Sequence, residues 1–426
     1  MTSAVDIAIV GGGMVGASLA VAVAPLGLKV ALIEAVAHDS ASQPSFDERT
    51  TALSNGSCRI LQTLGVWAQV QTQAVPIRKI HVSDQGRFGF ARIDAAEQGL
   101  TAMGYVVPNR ALGLALWSRG MACPHIQVHC PAQVLRIERG ERTVALEIAA
   151  AGAAAGATAG ASAGATADAT ARIDARLVVA ADGVHSAVRG AFGVDVQTRD
   201  YEQTAIITTV LPQRFHDHVA YERFSASGPL ALLPLEGGRC ALVLTLNRAA
   251  AEAAMAWSDG EFLAEVQRRF GFRLGRFLKV GRRVPYPLSL TRAERTSAER
   301  CVIIGNAAQS LHPVAGMGFN LGLRDVASLA ELLAEHRREP SFDAGAAGLL
   351  AEYDAWRAAD RAGVLAFTDG LVRLFANPSS VVARLRNIGL LAFDLLPPAK
   401  AALSSLSAGG GGRTRIPKLA RGVALQ

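Results

Sequence analysis

The chain has 426 residues, of which 50% are hydrophobic and 19% are charged. This composition excludes intrinsic disorder and predicts two or three folded domains with a large core. The formal net charge of +7 favours anionic partners such as phosphate-bearing cofactors or lipid headgroups. The basic residues form no dense run, so nucleic-acid binding is not expected.

Cysteine usage and the first residues bound the class of protein further. Five cysteines occur without any Cys-x-x-Cys pair, so neither a disulfide framework nor a metal site is expected. The N-terminus lacks a basic stretch, and Asp6 interrupts its first apolar run, so no secretory signal is predicted. No uninterrupted apolar run reaches the roughly 18 residues of a spanning helix. A cytoplasmic protein is therefore expected.

A compact βαβ unit is predicted at the start of the chain. Residues 4–10 form an apolar run that indicates a buried strand, and a small-residue helix is predicted over Ala17–Leu26. Gly27 stands where a helix C-terminus favours a left-handed residue. A second strand is predicted over Leu28–Ile33, directly before Glu34.

Shorter elements follow up to the middle of the chain. A helix is predicted around 57–64, and a helix over Arg110–Arg119 has its start signal at Asn109. Strands are predicted at 77–83 and 88–94, which are expected to pair, and at 126–129, 133–138, 143–149 and 173–180. Residues 149–171 are almost all Ala, Gly, Thr and Ser, which predicts a mobile surface insertion.

The second half begins with alternating apolar runs that predict the β-sheet of a second domain. These runs are Ala205–Leu211, Val219–Phe224, Leu230–Leu235 and Cys240–Leu246. Later elements are a helix at 260–270, a strand at Cys301–Ile304, a loop with three glycines, and helices at 319–337, 346–376 and 379–395. The tail carries four glycines at 409–412 and then basic residues.

The glycine pattern Gly11-x-Gly13-x-x-Gly16 lies between the first strand and the first helix. Its glycines permit a tight turn, a close approach of a pyrophosphate, and close packing of helix on strand. The helix N-terminus, with Met14 and Val15, would offer N–H groups to the phosphates, and Glu34 would accept hydrogen bonds from an adenosine ribose. The pattern predicts a dinucleotide site but does not separate FAD from NAD.

Three further segments make that distinction. They are Asp47-Glu-Arg49-Thr-Thr-Ala-Leu53, Leu177-Val-Val-Ala-Ala-Asp182-Gly183-Val-His-Ser-Ala-Val-Arg189, and the stretch from Gly305-Asn306 through His312-Pro313-Val-Ala-Gly316-Met-Gly318-Phe-Asn320 to Arg324-Asp325. Together with the glycine pattern they resemble, in order and spacing, the fingerprints of the group A FAD-dependent aromatic hydroxylases. The resemblance covers nearly the whole chain, apart from the Ala/Gly insertion and the tail after about residue 408.

The stretch from Ile303 to Leu329 resembles the ubiquinone-biosynthesis hydroxylases, and within them the branch that acts on 2-polyprenyl-6-methoxyphenol. The segments Phe46–Leu53 and Glu222–Pro234 resemble the same branch. Most members of the superfamily have Gly-Asp where this chain has Gly305-Asn306. An amide oxygen can accept the same ribityl hydrogen bond without a charge, and this branch often carries the asparagine.

The resemblance implies an α/β fold with α+β elements in the second domain: a Rossmann-like FAD-binding domain, a β-sheet substrate domain and C-terminal helices. The FAD-binding domain is expected in three parts, over 1–75, 109–200 (with the insertion) and 286–345. Substrate-domain strands are expected at 76–108, and the substrate-binding sheet at 201–285. Residues 346–426 are expected to form the C-terminal helices and the basic tail.

The resemblance also implies the role of individual residues. Arg49 is expected near the flavin or the pyrophosphate, and Arg110 is expected to reach the FAD phosphates. Val134 is expected to touch the adenine through its main chain. Asp182 is expected near the pyrophosphate and the nicotinamide route, and Asn306 near the ribityl chain.

A loop beside the isoalloxazine ring is expected at Pro313–Asn320. Its contacts with the cofactor are expected from Gly316, Met317, Gly318, Phe319 and Asn320, whose backbone N–H groups would stabilise negative charge on reduced flavin. His312 is a candidate general base, together with Pro313 on the flavin side, but a loop-shaping role for His312 is the favoured interpretation.

The implied reaction uses NAD(P)H, O₂ and a flavin C4a-hydroperoxide to hydroxylate a polyprenylated phenol, with most of the chemistry supplied by the cofactor. Phe224, Leu232 and Pro234 are candidates for the wall of the substrate pocket, although ordinary core packing is an equal alternative. A hydroxylase of another aromatic compound, a non-catalytic flavin-binding subunit and a reductase on the same fold remain alternatives.

A polyprenyl tail would have to be taken from a bilayer or from a partner protein, since each buried CH₂ contributes about 0.8 kcal/mol. The helices around Val381–Leu396 and the basic tail are therefore candidates for contact with anionic lipid or with a biosynthetic complex. This contact would place the enzyme at the periphery of the inner membrane.

Overall fold

The fold comes from a computed structural model, which describes residues 2–37, 40, 49–150, 170–225, 227–377, 379–396, 398–400, 402 and 415–425. Most of the Ala/Gly insertion, the pair Asp47–Glu48, and the four glycines of the tail lie outside the described residues. The predictions made for those segments therefore stay predictions.

The described residues form twenty strands and ten helices. The strands are β1 Thr2–Val10, β2 Val30–Ile33, β3 Thr50–Ser54, β4 Val75–Ile77, β5 Lys79–Asp84, β6 Phe90–Asp94, β7 Gly104–Pro108, β8 Ile126–His129, β9 Ala132–Arg139, β10 Val144–Ala150, β11 Ala171–Ala180, β12 Val196–Pro212, β13 Val219–Phe224, β14 Leu230–Pro234, β15 Cys240–Asn247, β16 Phe277–Val280, β17 Val284–Ala293, β18 Ser297–Ala298, β19 Cys301–Ile303 and β20 Gln309–Ser310. The helices are α1 Met14–Val23, α2 Asn55–Thr63, α3 Trp67–Val70, α4 Asn109–Met121, α5 Ala187–Ala191, α6 Arg248–Ala256, α7 Asp259–Phe270, α8 Met317–His336, α9 Ala347–Ala376 and α10 Ser380–Leu395.

The first sheet has the order β18-β19-β11-β1-β2-β8, and all of these pairings except β18 with β19 are parallel. Alternate residues of β1 face opposite layers: Ile7 and Ile9 pack with α1, α4 and α8, whereas Ala8 and Val10 pack toward β9, β10 and α5. A parallel sheet covered on both faces needs apolar strands without polar alternation, which is why β1 and β2 were readable as buried runs.

The second sheet has the order β20-β17-β12-β15-β14-β13-β5-β6, with β16 beside β12. Most pairings are antiparallel, but β13 and β5 are parallel, so the early hairpin of β5 and β6 joins strands far along the chain. The antiparallel pairing of β5 with β6 confirms the predicted pairing of the strands at 77–83 and 88–94. A third, small sheet has the order β3-β7-β4.

Two local expectations change. The cap of α4 is Pro108, and Asn109 is already helical, with its side chain accepting a hydrogen bond from Thr51 Oγ1 at 2.7 Å. The strands of the second sheet also cross the expected domain boundaries at 200 and 285, because β12 starts at Val196 and pairs along its length with β17, which ends at Ala293. The apolar run Ala205–Leu211 marked only the buried second half of β12, whose residues 197–200 are exposed.

The C-terminal helices cover the junction between the sheets. Helix α8 packs against α1 and α9, and α10 lies on the hairpin strand β6. Among the described residues, none of the helices combines the length and apolarity required to cross a bilayer.

Candidate active site

The glycine turn between β1 and α1 leaves no room for side chains. A Cβ on Gly11, whose φ is +104°, would overlap the carbonyl oxygen of Ala181, and a Cβ on Gly16 would overlap the carbonyl oxygen of Gly11. Helix α1 begins with Gly13 as its N-cap and has no side-chain cap. Because the positive end of a helix attracts phosphate oxygens, this turn fits a pyrophosphate.

Glu34 lies at the adenosine end of the same groove. Its carboxylate accepts hydrogen bonds from the N–H of Gly12 at 2.6 Å and of Val36 at 2.8 Å. The N–H of Ala132 donates to the Glu34 carbonyl at 2.7 Å, which brings β9 and Val134 beside the end of β2. A carboxylate oxygen can accept a second bond, so Glu34 keeps the capacity to hold a ribose.

Asp182 follows β11 and lies against the glycine turn through its backbone. Its carboxylate accepts the Ser186 hydroxyl at 2.5 Å and the Val188 N–H at 3.2 Å. The side chain therefore shapes the start of α5, while the main chain of Ala181 and Asp182 closes the floor of the turn.

The two predicted arginines come from segments that touch. The N–H of Asn109 donates to the Arg49 carbonyl at 2.8 Å, so Arg110 in the first turn of α4 lies close to Arg49, the residue before β3. The Arg49 guanidinium lies over the ring of Tyr286, 4.8 Å from its centroid. Arg110 is exposed, so its side chain is available to an anionic ligand.

The segment expected beside the ribityl chain lies where α8 packs closely on α1. Gly305 has φ +58°, and a Cβ there would lie 3.1 Å from the Val15 side chain; a Cβ on Gly322 would lie 2.9 Å from the same side chain. Asn306 is the exposed residue of a 3-10 turn in which Gly305 and Ala307 are buried. Its amide is therefore accessible, and the expected ribityl contact stays a prediction.

The predicted flavin loop is tied to strand β3. Gly316 caps α8 in the left-handed conformation, without a side-chain cap on the helix. The Asn320 amide accepts a bond from the Ser54 N–H at 2.8 Å and donates to the carbonyls of Ala52 at 2.8 Å and Gly316 at 2.7 Å. The Asn320 side chain thus positions the loop through buried internal bonds, and the expected contact of its backbone N–H with the cofactor stays a prediction.

Three other residues of this loop differ in exposure. Met317 is buried, whereas Gly318 and Phe319 are partly exposed, and a Cβ on Gly318 would meet no atom within 4 Å. The open side of the loop is therefore at Gly318, where a flat ring could approach the backbone.

His312 is poorly suited to be the general base. Its Nδ1 accepts the Val314 N–H at 3.2 Å, and the ring stands edge-on to Tyr201 at 5.3 Å. Burial lowers the pKa of His312 to about 4, so the imidazole is neutral at pH 7 with its proton on Nε2. This geometry favours the loop-shaping role, together with Pro313, which caps the following 3-10 turn.

A buried charge cluster supports the flavin loop from behind. Asp325 accepts bonds from the Gly305 N–H at 3.2 Å, from Gln309 at 3.0 Å and from Arg357 at 2.8 Å. Asp360 bridges Arg357 at 2.6 Å and Arg324 at 2.9 Å. No role for Arg324 and Asp325 could be predicted from the sequence, because their partners on α9 are distant in the chain.

The second sheet turns one face toward the flavin loop. Phe224 is buried against Val314 of that loop and stacks on Phe375 of α9 at 3.6 Å. Leu232 packs instead with Leu242 and Phe262 on the opposite face, beneath α6 and α7. Pro234 shares that face by alternation along β14, so the pocket role expected for Leu232 and Pro234 is corrected.

Comparisons with known proteins agree with this geometry. The profile of the FAD binding domain family matches residues 4–368. Ubiquinone hydroxylase UbiL of Rhodospirillum rubrum is 38% identical over 99% of this chain and 93% of UbiL. The 3-demethoxyubiquinol 3-hydroxylase of Escherichia coli is 30% identical over 91% of this chain and 94% of its own.

Among solved structures, p-nitrophenol 4-monooxygenase PnpA of Pseudomonas putida DLL-E4 has a TM-score of 0.76 at 18% identity, covering 97% of this chain and 100% of PnpA. This likeness confirms the predicted fold, and the family match confirms the predicted cofactor. The chain belongs to the ubiquinone-biosynthesis hydroxylase family, and it is an FAD-dependent aromatic monooxygenase with NAD(P)H and O₂ as co-substrates.

Proposed function

We propose that this enzyme hydroxylates the ring of a polyprenylated phenol, converting 2-polyprenyl-6-methoxyphenol to the benzoquinol in ubiquinone biosynthesis. The names of the two relatives, a ubiquinone hydroxylase and a 3-demethoxyubiquinol hydroxylase, support the pathway. Bound FAD would take the hydride of NAD(P)H and activate O₂, and the hydroperoxide route expected above belongs to this proposal. The protein must bind the ring, exclude water and hold the prenyl tail.

The ring would lie between the flavin loop and the inner face of the second sheet. That face carries side chains that are only partly buried, among them Val82, Leu233 and Val243. Phe224 and Val314 close one end of it. An apolar wall without water protects activated oxygen from wasteful decay.

The observation that supports a prenylated substrate is the orientation of the amphipathic helix α10, which turns a polar face to the protein and an apolar stripe to the outside. Two of its polar side chains face the protein: Arg386 donates to Asp84 at 2.5 Å, and Asn387 accepts the Gly89 N–H at 2.7 Å. Its apolar side chains face outward, with exposed fractions of 62%, 63%, 59% and 78% for Val381, Leu385, Ile388 and Leu395. A surface helix ordinarily turns its apolar stripe to the core, so this stripe suits an apolar partner.

Charge favours a bilayer as that partner. Exposed arginines border the stripe on α10 itself, on the end of α9 and on the neighbouring hairpin: Arg384, Arg373, Arg87 and Arg92. Basic side chains around an apolar helix face are typical of contact with anionic lipid. Phe88, 71% exposed at the hairpin tip next to Gly89, extends the same surface.

The same helix also reaches the candidate active site. On its inner side, Leu390 packs with the cluster of Phe224 and Val314, and Phe393 packs with the cluster beside Leu233. A substrate whose tail stays in the membrane surface and whose ring enters beneath α10 would match this arrangement. We therefore propose peripheral membrane association through α10 as part of the function.

The test compares two phenols that differ only in the tail. The FAD-loaded enzyme is mixed with NAD(P)H, O₂ and either 2-prenyl-6-methoxyphenol or 2-methoxyphenol, and cofactor oxidation and hydroxylated product are measured. We expect stimulated oxidation and a hydroxylated product with the prenylated phenol, with kcat/KM at least tenfold above the unprenylated one. Equal activity with both would contradict a prenylated substrate, and bound FAD without product from either would overturn the hydroxylase proposal.

A further inference from the structure

One acidic side chain lies within the apolar inner face of the second sheet. Glu222 alternates along β13 with Ala220 and Phe224, so these three share a face. In the register, Glu222 stands opposite Val82 on β5 and Ala231 on β14. Its neighbours along and across the strands are therefore all apolar.

Glu222 lies between the two clusters that meet at the flavin loop. Ala220 packs with the cluster that also holds Ala52 and Phe393, and Phe224 packs with Val314. Ala52 in turn touches the position of Gly316. The Glu222 carboxylate therefore faces the space where the substrate ring would bind.

The carboxylate has no hydrogen-bond or ion-pair partner among the residues that the structure describes. Part of the side chain stays accessible, yet the surrounding protein desolvates it and raises the pKa of Glu222 to about 7. Both properties belong to a group that lines an internal space. A desolvated carboxylate without a partner destabilises the fold, which suggests that the free enzyme lacks a ligand that completes it.

Other charged and titratable groups on this side of the sheet are already engaged. Asp84 is held by Arg386 and Asn387, and Arg49 lies on Tyr286. His312 is neutral at pH 7, since burial lowers its pKa to about 4. None of them is a cause of the pKa shift of Glu222, which burial alone produces.

We propose that Glu222 is the general base that takes the phenol proton of the bound substrate, an inference that rests on the function proposed above. The phenol O–H bond breaks, the proton passes to a carboxylate oxygen of Glu222, and the electron pair stays on the phenol oxygen. The phenolate pushes electron density to its ring carbons, which then attack the activated oxygen more readily. The protonated Glu222 afterwards returns its proton to solvent.

The test compares Glu222→Gln and Glu222→Asp with the wild-type enzyme, and uses Glu236→Gln, an exposed glutamate on the loop after β14, as the matched control. A positioned base typically contributes 10²–10⁴-fold to rate. We therefore expect Glu222→Gln to lower kcat for the prenylated phenol by about 100-fold or more at pH 7, with KM changed less than about threefold. Glu222→Asp should recover part of kcat, and Glu236→Gln should match the wild type.

The pH profile separates a base from a structural residue. A base acts in its ionised form, so wild-type kcat should rise with pH through about 7, and Glu222→Gln should lose that rise. FAD content and thermal unfolding of each variant show that it is folded.

The outcomes distinguish the two proposals. Hydroxylated product from the wild type together with an unchanged kcat and pH rise in Glu222→Gln would overturn the role of Glu222 and leave the proposed function intact. Loss of kcat in Glu222→Gln with the pH rise retained would also overturn it, in favour of a structural role. A wild-type enzyme that hydroxylates no phenol would overturn both.

Discussion

At the scale of single residues, Gly16 is a position where a methyl group has no place. A Cβ there would overlap the carbonyl oxygen of Gly11, which is backbone and cannot rotate away. We expect Gly16→Ala to cost about 1–3 kcal/mol of unfolding free energy through overpacking and to lower the FAD content of the purified protein severalfold. The ratio of flavin to protein absorbance and a thermal unfolding curve measure both effects.

The control for this substitution is Gly348→Ala. Gly348 lies in the first turn of α9, it is exposed, and a Cβ there would meet no atom within 4 Å. This variant should keep its FAD and its stability. Equal FAD content in Gly16→Ala and the wild type would show that the turn tolerates a side chain and would remove the packing argument.

A second prediction concerns the effect of His312 on how the free energy of unfolding depends on pH. The folded state holds its pKa near 4, below the ordinary value of about 6.5 in an unfolded chain. The unfolded state therefore binds the proton first, and the stability contributed by the neutral ring is present above pH 6.5 and lost as pH falls toward 4. The shift corresponds to a loss of about 3 kcal/mol.

The measurement is urea unfolding between pH 7 and pH 4. In His312→Asn, where an amide oxygen can replace Nδ1 as acceptor for the Val314 N–H, the fall in stability over this range should be smaller than in the wild type by about that amount. An equal fall in both proteins would mean that His312 titrates normally in the folded state.

The sequence predicted the residues whose role depends on the backbone, and it was less reliable for those whose role depends on a side-chain direction. Gly11 and Gly16 were predictable because only glycine fits such a turn. Leu232 was placed on the wrong face, because alternation shows that two faces differ but not which one meets the cofactor. The side-chain bonds of Asn320 to Ser54 and Ala52 could not be predicted, because these partners are too distant in the chain.

At the scale of elements, the pair α8 and α9 depends on the buried charge cluster of Arg324, Asp325, Arg357 and Asp360. Arg357 is 2% exposed and bonds two carboxylates, which raise the pKa of Arg357 further above its ordinary range despite burial. Removing one member of a buried ionic group leaves uncompensated charge, at a cost of roughly 3–5 kcal/mol. We expect Arg357→Met to lose that much stability in denaturant unfolding.

Because Asp325 also accepts the Gly305 N–H, Arg357→Met should weaken FAD retention as well. The control is Arg373→Met on the same helix, whose exposed i,i+4 pair with Asp369 should contribute less than about 1 kcal/mol. Similar losses in the two variants would contradict the special weight given to the buried cluster.

The elements themselves were largely predictable, and their assembly was not. Local periodicity predicts individual strands and helices, so α7, α8, α9 and the strands β13 to β15 lie close to their predicted positions. The parallel pairing of β13 with β5 joins residues that are far apart in the chain, and no local pattern encodes it. Likewise, the sequence of α10 shows two unlike faces without showing that the polar one is buried.

At the scale of the whole molecule, the two large sheets have different roles in the proposed function. In the proposed function, the first sheet and the N-terminus of α1 would hold the pyrophosphate, and the second sheet would supply the wall on the substrate side. Helix α10 spans from that wall to the outer surface through Leu390 and Phe393 on one side and Leu385 and Ile388 on the other. An enzyme with this layout can work on a ring whose tail never leaves an apolar environment.

The last prediction concerns that outer surface. Leu385→Gln combined with Ile388→Gln should weaken binding to vesicles that contain anionic lipid by tenfold or more, because each side chain that enters the acyl boundary contributes about 1.5–3 kcal/mol. The solution activity on a short-chain prenylated phenol should change little, since both side chains point away from the wall. Flotation with vesicles at low and high salt measures the binding, and salt should weaken it through the bordering arginines.

Two exposed apolar residues elsewhere provide the control. Leu135 on β9 and Phe272 after α7 are 50% and 68% exposed, so Leu135→Gln with Phe272→Gln removes as much apolar surface without touching α10. Undiminished vesicle binding in the α10 variant would remove the bilayer as its partner. A different result would be a wild type that does not bind vesicles but binds a protein of the same pathway, with that binding lost in the α10 variant. The outer face of α10 would then be a protein docking face, and that protein would deliver the prenyl tail.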